Sequence, residues 1–305
     1  MRQRQPLRRQ AEEISGSTTL RTAYVSSLAP LIDNRYRIKG TLGEGAVSLV
    51  HRAEDQITGE EVALKIGKSE VHPDYLFHIF TNEIEALSLV DHPNVPELKG
   101  AGLNCRLPYV ATEIADGRSL YEWLNHNFRG LHCLAGTLKV FSDACDAAAT
   151  IHAKGIVHRD LGGHNVMVDY NLAVKIIDFG YAKIPGVPDY AMEVDVPVGT
   201  LVYFAPEQTH VHANVDHRVD IYALGVSLYM ELVGNVPFDV PPDIAHECFL
   251  ELHRNAPIVP LRQRDPEMPR DVEEIVQAAL EKDPKNRFQS AFEMKAALDA
   301  AHQNL

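Results

Sequence analysis

Two carboxylates and an amide fall within one short run of the chain, residues 156–180 (IVHRDLGGHNVMVDYNLAVKIIDFG). Two apolar, strand-like segments at 166–168 and 174–177 flank a turn at 169–171. A polar loop, 158–165, precedes the first, and Asp178-Phe179-Gly180 follows the second. A hairpin of this kind brings Asp160, Asn165 and Asp178 to one end. Asp160 can orient a hydroxyl and take its proton. Asn165 and Asp178 carry hard oxygen donors of the type that hold Mg2+ on a polyphosphate.

Other elements must position these groups. A strand at 35–39 leads into Leu42-Gly43-Glu44-Gly45-Ala46-Val47-Ser48-Leu49-Val50, a strand-turn-strand whose backbone N–H groups can close over phosphates. No Gly-Lys-Ser/Thr is present and no helix follows at once, which excludes a P-loop and a dinucleotide-binding fold. In the next strand, 61–66, Lys65 is a charge among apolar residues and needs a partner. A helix expected at 80–90 offers two candidates, Glu83 and, on a different face, Glu85. A strand at 107–113 and helices at 119–125 and 134–154 lead back to the loop at 158–165.

In this order and spacing the segments resemble eukaryotic-type protein kinases, most closely the bacterial Ser/Thr members. HRDLGGHN is similar to their catalytic loop, Asp178-Phe179-Gly180 to their metal-binding motif, and Gly199-Thr200 with Ala205-Pro206-Glu207 to the end of their activation segment. The resemblance covers roughly residues 36–300. It implies an α+β, bilobal fold: a mobile arm at 1–31, a small β-rich N-lobe at 32–113, a hinge at 114–118 and a larger, mainly α-helical C-lobe at 119–305. It implies ATP- and Mg2+-dependent transfer of the γ-phosphate to Ser/Thr hydroxyls of protein substrates and of the enzyme itself, with Mn2+ as an alternative metal.

The same resemblance assigns roles. Asp160, Lys65, Glu83, Asn165 and Thr200 form the catalytic set, and Asn165 and Asp178 bind the metal. The nucleotide would lie among Leu42, Gly43, Glu44, Gly45, Val50, Ala63, Lys65, Thr112, Glu113, Ala115, Met167 and Asp178, with small Thr112 leaving a back pocket open. His158 and Phe179 belong to the hydrophobic spine, Asp220 ties the catalytic-loop backbone, and Arg287 pairs with Glu207. The Gly-Thr…Ala-Pro-Glu segment favours a protein acceptor over a small molecule. A nucleotide-binding pseudokinase scaffold is the other alternative, suggested only by Gly162, Gly163 and Ser48.

Two departures from the family pattern bear on rate and control. Ser/Thr kinases usually carry Lys at the position of Gly162, whereas tyrosine kinases place a cation at the position of His164. Two readings stay open: His164 supplies a positive charge near the γ-phosphate, or it points elsewhere and the enzyme is slow. Between Gly180 and Gly199 there is no Ser or Thr, so no loop phosphate of that kind can reach Arg159. Glu193 and Asp195 are expected to serve as its permanent partners, with activity independent of loop phosphorylation.

Composition is that of an ordinary globular protein of 305 residues, with 45% hydrophobic and 23% charged residues. A net charge of −13 argues against nucleic-acid partners. Four scattered cysteines without metal spacing fit reduced thiols in the cytoplasm, and His210, His212 and His217 lack the companions a zinc site needs. No stretch is long and apolar enough to span a bilayer, and a kinase without a built-in sensor domain is expected. The residues leave the oligomeric state open.

Overall fold

The computed structural model describes residues 31–103, 106–125, 133–192, 194, 197–240 and 246–305. All but the last residue of the expected N-terminal arm lies outside them, as do Glu193 and Asp195. The first lobe begins with a hairpin of β1 (Tyr36–Glu44) and β2 (Ser48–Asp55), followed by β3 (Glu61–Gly67). A helix, α1 (Pro73–Leu89), intervenes before β4 (Leu98–Gly102) and β5 (Tyr109–Thr112). The sheet order is β1-β2-β3-β5-β4, antiparallel throughout. One face buries Tyr36, Ala53, Val62, Leu64, Tyr109 and Ala111 as a small core. Val62 and Leu64 alternate along β3 as a half-buried strand requires.

The sequence reading contains no strand at β4, because LKGAG lacks alternation. Its Gly100 has a packing reason: a Cβ there would lie 2.3 Å from the Tyr36 hydroxyl. Helix α1 starts seven residues before the expected position. Pro73 occupies its first turn, where a missing N–H costs nothing, and the His72 ring accepts from the Asp74 N–H at 3.3 Å. Leu76, Ile79, Phe80, Glu83 and Leu87 then share its buried face.

Residues 113–117 run between the lobes outside any ladder. Arg118, expected in the hinge, instead opens β6 (Arg118–Ser119), which pairs with β7 (Val166–Val168), itself paired with β8 (Val174–Ile176). The rest of this lobe is helical: α2 (Leu120–Asn125), α3 (Leu134–Ala153), α4 (Arg218–Val233), α5 (His246–Asn255), α6 (Leu261–Arg264), α7 (Arg270–Ala279) and α8 (Ala291–Gln303). Every residue of α4 from Val219 to Tyr229 is buried, so this helix is the lobe's axis. Each large apolar side chain it buries contributes roughly 1.5–3 kcal/mol. The architecture is the bilobal α+β arrangement that the motifs imply.

Candidate active site

Strand β3 presents Lys65 toward α1, opposite Val50 of β2. Its Nζ donates to Glu83 Oε2 at 2.5 Å and to Asp178 Oδ1 at 2.8 Å. Burial works against the ammonium, but the two carboxylates outweigh it and hold the Lys65 pKa above its ordinary value. The cost falls on Glu83, whose carboxyl burial pushes up to about 7. Asp178, which also accepts the Gly180 N–H, stays below its ordinary value because the Lys65 ammonium outweighs its partial loss of solvent. Glu85 is exposed on α1 and takes no part.

Below the cleft, the loop between α3 and β7 is hung from one buried carboxylate. Asp220, at the start of α4, accepts the N–H of His158 at 2.9 Å and of Arg159 at 2.8 Å, and His152 Nε2 lies 2.8 Å away. These bonds hold Arg159 at φ +66°, a left-handed conformation costly for a long side chain. His158 packs its ring 4.8 Å from that of Phe179, with Nε2 3.2 Å from the Ile177 carbonyl. The next residue, Asp160, therefore emerges at a fixed point.

Three groups converge on its carboxylate. Asn165 Nδ2 donates to Asp160 Oδ2 at 3.0 Å, and the Thr200 N–H donates to Oδ1 at 2.7 Å. His164 Nε2 lies 3.0 Å from both Asp160 Oδ2 and Thr200 Oγ1. Thus His164 faces into the site, which removes the reading in which it points elsewhere. Its Nδ1 is buried without a partner, so the contact is satisfied by the tautomer carrying the proton on Nε2. The Tyr203 ring stacks on His164 at 5.3 Å and fills the space above Gly162, where a Cβ would lie 2.2 Å from Tyr203 Cδ2. A side chain at 162 would require the Tyr203 ring to move, and among the described residues the nitrogen-bearing side chains that meet the Asp160 carboxylate are Asn165 and His164.

A cavity of 390 Å³ opens between the lobes above these groups. Its wall contains every residue expected around a nucleotide: Leu42, Gly43, Glu44, Gly45, Val50, Ala63, Lys65, Thr112, Glu113, Ala115, Met167 and Asp178. Asp160, Asn165 and Thr200 are not in the wall but at the His164 end. The reading of the residues missed Pro96, Ser119, Glu122 and Ile177 there. Ser119 and Glu122 carried a signal, S-x-x-E: Glu122 Oε2 accepts the Ser119 N–H at 3.0 Å, and Ser119 Oγ accepts the Glu122 N–H at 3.2 Å, a capping box at α2.

Arg159 has a partner besides the expected Glu193 and Asp195, which lie outside the described residues. Its two terminal nitrogens donate to the two oxygens of Asp189, both at 2.6 Å. Asp189 lies ahead of Glu193 and Asp195 and, among the described residues, is the acid that meets the guanidinium. At the other end of the segment, Arg287 binds Glu207 with two bonds of 2.7 Å.

The donor set fits a divalent cation. The Lys65 ammonium holds the Asp178 carboxyl below its ordinary pKa, and its side chain is 43% exposed and its backbone held at φ +61°. Asn165 uses its Nδ2 on Asp160, leaving its Oδ1 as a neutral oxygen donor. Among the described residues no group of three or more His, Cys, Asp or Glu could hold a metal ion. Two oxygen donors suit an ion that takes its other ligands from a bound polyphosphate.

Residues 36–299 match the protein kinase domain. The serine/threonine-protein kinase PknB of Mycobacterium leprae is 32% identical over 280 residues, 90% of this chain and 44% of that protein. Serine/threonine-protein kinase pkn2 of Myxococcus xanthus is 34% identical over 289 residues, covering 91% and 34%. Serine/threonine-protein kinase PrkC of Bacillus subtilis is 32% identical over 271 residues, covering 88% and 41%. The chain spans less than half the length of these relatives.

Proposed function

The chain belongs to the protein kinase family, and on that premise we propose that it transfers the γ-phosphate of ATP to Ser or Thr hydroxyls of protein substrates. The observation that carries this reading is Lys65 bonded at once to Glu83 and Asp178, across the cleft from a fully engaged Asp160. Such a cleft has its phosphate-facing cation and its acceptor-facing carboxylate in place together.

In this reading the backbone around Gly43 and Gly45 closes over the phosphates and Lys65 holds the α- and β-groups. Asp178 and Asn165 would hold Mg2+ or Mn2+, which would supply charge neutralisation on the phosphates. Asp160 orients the acceptor hydroxyl; the oxygen attacks the γ-phosphorus, the bond to ADP breaks, and the hydroxyl proton passes to Asp160. Thr200 and His164 fix that carboxylate from two sides. The Gly199-Thr200 junction supports Ser/Thr over Tyr. The reading places the enzyme in the cytoplasm, with ATP and reduced thiols. Among the described residues no helix is long and apolar enough to cross a membrane, and Cys133, Cys145 and Cys248 are free.

The test is transfer from γ-labelled ATP to a generic basic protein with Mg2+ or Mn2+, followed by phosphoamino-acid analysis. Label on Ser or Thr, falling about a hundredfold or more in Asp160→Ala, is expected. No label, with ATP still raising the melting temperature, would replace the enzyme by a nucleotide-binding scaffold.

A further inference from the structure

Residues Asp189 and Tyr190 touch two different parts of the catalytic apparatus at once. Asp189 binds Arg159, the residue before Asp160, through both carboxylate oxygens at 2.6 Å. The next side chain, Tyr190, stacks on Tyr75 with ring centroids 5.2 Å apart and lies 4.9 Å from the ring of His78. Tyr75 and His78 lie on α1, the helix that carries Glu83 to Lys65. One turn further along that helix, Asn82 Nδ2 donates to the Gly180 carbonyl at 3.0 Å. The gap left between α1, Arg159 and the Asp189-Tyr190 pair is only 10 Å³.

We infer that Asp189 and Tyr190 act as a pair of positioning residues that couple the catalytic loop to α1 and assemble the site without a phosphate. The inference rests on the kinase reading and goes beyond it. Asp189 supplies what a loop phosphate would supply to a buried guanidinium, two oxygens for a forked donor. Tyr190 carries the consequence to the helix, through ring contacts that no charge is needed to hold. The ends of the connection are then Asp160 on one side and the Lys65–Glu83 pair on the other.

The chain around the pair is consistent with this role. From Gly180 to Gly199 the only side-chain hydroxyls are those of Tyr181 and Tyr190. The Tyr181 hydroxyl is 2.9 Å from that of Tyr75, and burial pushes its pKa up. Both tyrosines are thus engaged with the same residue of α1. Asp189 is itself held in shape, its Oδ1 accepting the Ala191 N–H at 3.2 Å and its carbonyl accepting the Met192 N–H at 2.9 Å.

The test uses the full chain expressed with a protein phosphatase and shown by mass spectrometry to carry no phosphate. Turnover within about twofold of the untreated enzyme is expected, with no lag on adding ATP. Asp189→Asn, which keeps shape and loses charge, should lower kcat at least about tenfold, and Asp189→Glu should recover part of it. Tyr190→Ala should fall similarly, and Tyr190→Phe, which keeps the ring, should restore most of that loss. Because the pair acts through Glu83, Asp189→Asn should cost less in a Glu83→Gln background than in the wild type. A lag removed by prior phosphorylation, full activity in Asp189→Asn with Tyr190→Ala, or strict additivity with Glu83→Gln would each overturn the coupling while leaving the kinase reading standing. Absence of transfer by every form of the wild type would overturn both.

Discussion

Two arginines hold the two ends of the segment between Gly180 and Glu207, and they are bound very differently. Arg287 is fully buried and uses all five of its N–H groups: two bonds to Glu207, and others to the carbonyls of Glu281, Arg218 and Lys282. Its guanidinium also lies 4.9 Å over the Tyr222 ring. Arg159 is nearly as buried, yet among the described residues its side chain has one partner, Asp189, and its Nε has none. A guanidinium satisfied on every side is a permanent part of the lobe. One that depends on a single carboxylate from a neighbouring loop is a contact that can be made or lost, and its loss is felt at Asp160.

The widest separation of these roles should come from Glu207→Ala. It leaves a buried Arg287 charge without its carboxylate and should cost about 3–5 kcal/mol of stability, read as a fall in the denaturation midpoint. Asp189→Ala should be the opposite case, with the larger change in turnover and the smaller in midpoint. Equal midpoint losses in the two variants would erase the distinction.

A smaller effect is expected between the two ties, where His164 and Thr200 meet at Asp160. His164→Ala should lower kcat about tenfold and leave the KM for ATP within about twofold, since the ring braces the acceptor-facing carboxylate more than the nucleotide. A rise in KM with unchanged kcat would assign His164 to nucleotide binding instead. His164→Lys, with a flexible cation, tests the charge reading: turnover at or above wild type would support it, and a large loss would reject it.

The smallest effect concerns pH. Burial raises the Asp189 carboxyl, but the Arg159 guanidinium outweighs it and holds the pKa below the ordinary 3.8. A depressed carboxylate contributes stability that is present above the unfolded value and lost as pH falls through the folded one. The stability difference between wild type and Asp189→Asn should therefore stay constant from pH 8 to 5 and shrink only below about pH 3.8. A phosphate in the same role would begin to take up a proton near pH 6. A difference that declines between pH 7 and 5 would mean that another group holds Arg159.

Much of the site was legible because its residues are misfits in their segments. Lys65 is a charge in an apolar strand, Asp160 and Asn165 sit in a polar loop before an apolar run, and Asp220 opens a helix buried on all sides. Each needs an explanation that only a partner supplies, and Glu83 followed from the family resemblance, by its distance ahead of Pro93. Asp189 was hidden for the opposite reason. It lies among prolines and glycine in a stretch without periodicity, where any of several acids could meet Arg159, and only the path of the chain selects one. The start of α1 was misplaced although Pro73-Asp74 is an ordinary helix opening, because the apolar pattern becomes dense only from Phe80. Gly100 and β4 were not legible, since their logic is the space taken by Tyr36 from 64 positions away.

The contact between Gly162 and Tyr203 also constrains what this chain can become. Placing a lysine at 162 would drive its Cβ into a ring that is itself packed on His164 and buried to 4% exposure. Replacing Tyr203 first would unseat the brace of Asp160 before any lysine had arrived. A lysine at 162 is therefore coupled in space to Tyr203, and through the ring stack to His164. The three positions are one packed unit, so a lysine at 162 should raise turnover only together with changes at 164 and 203.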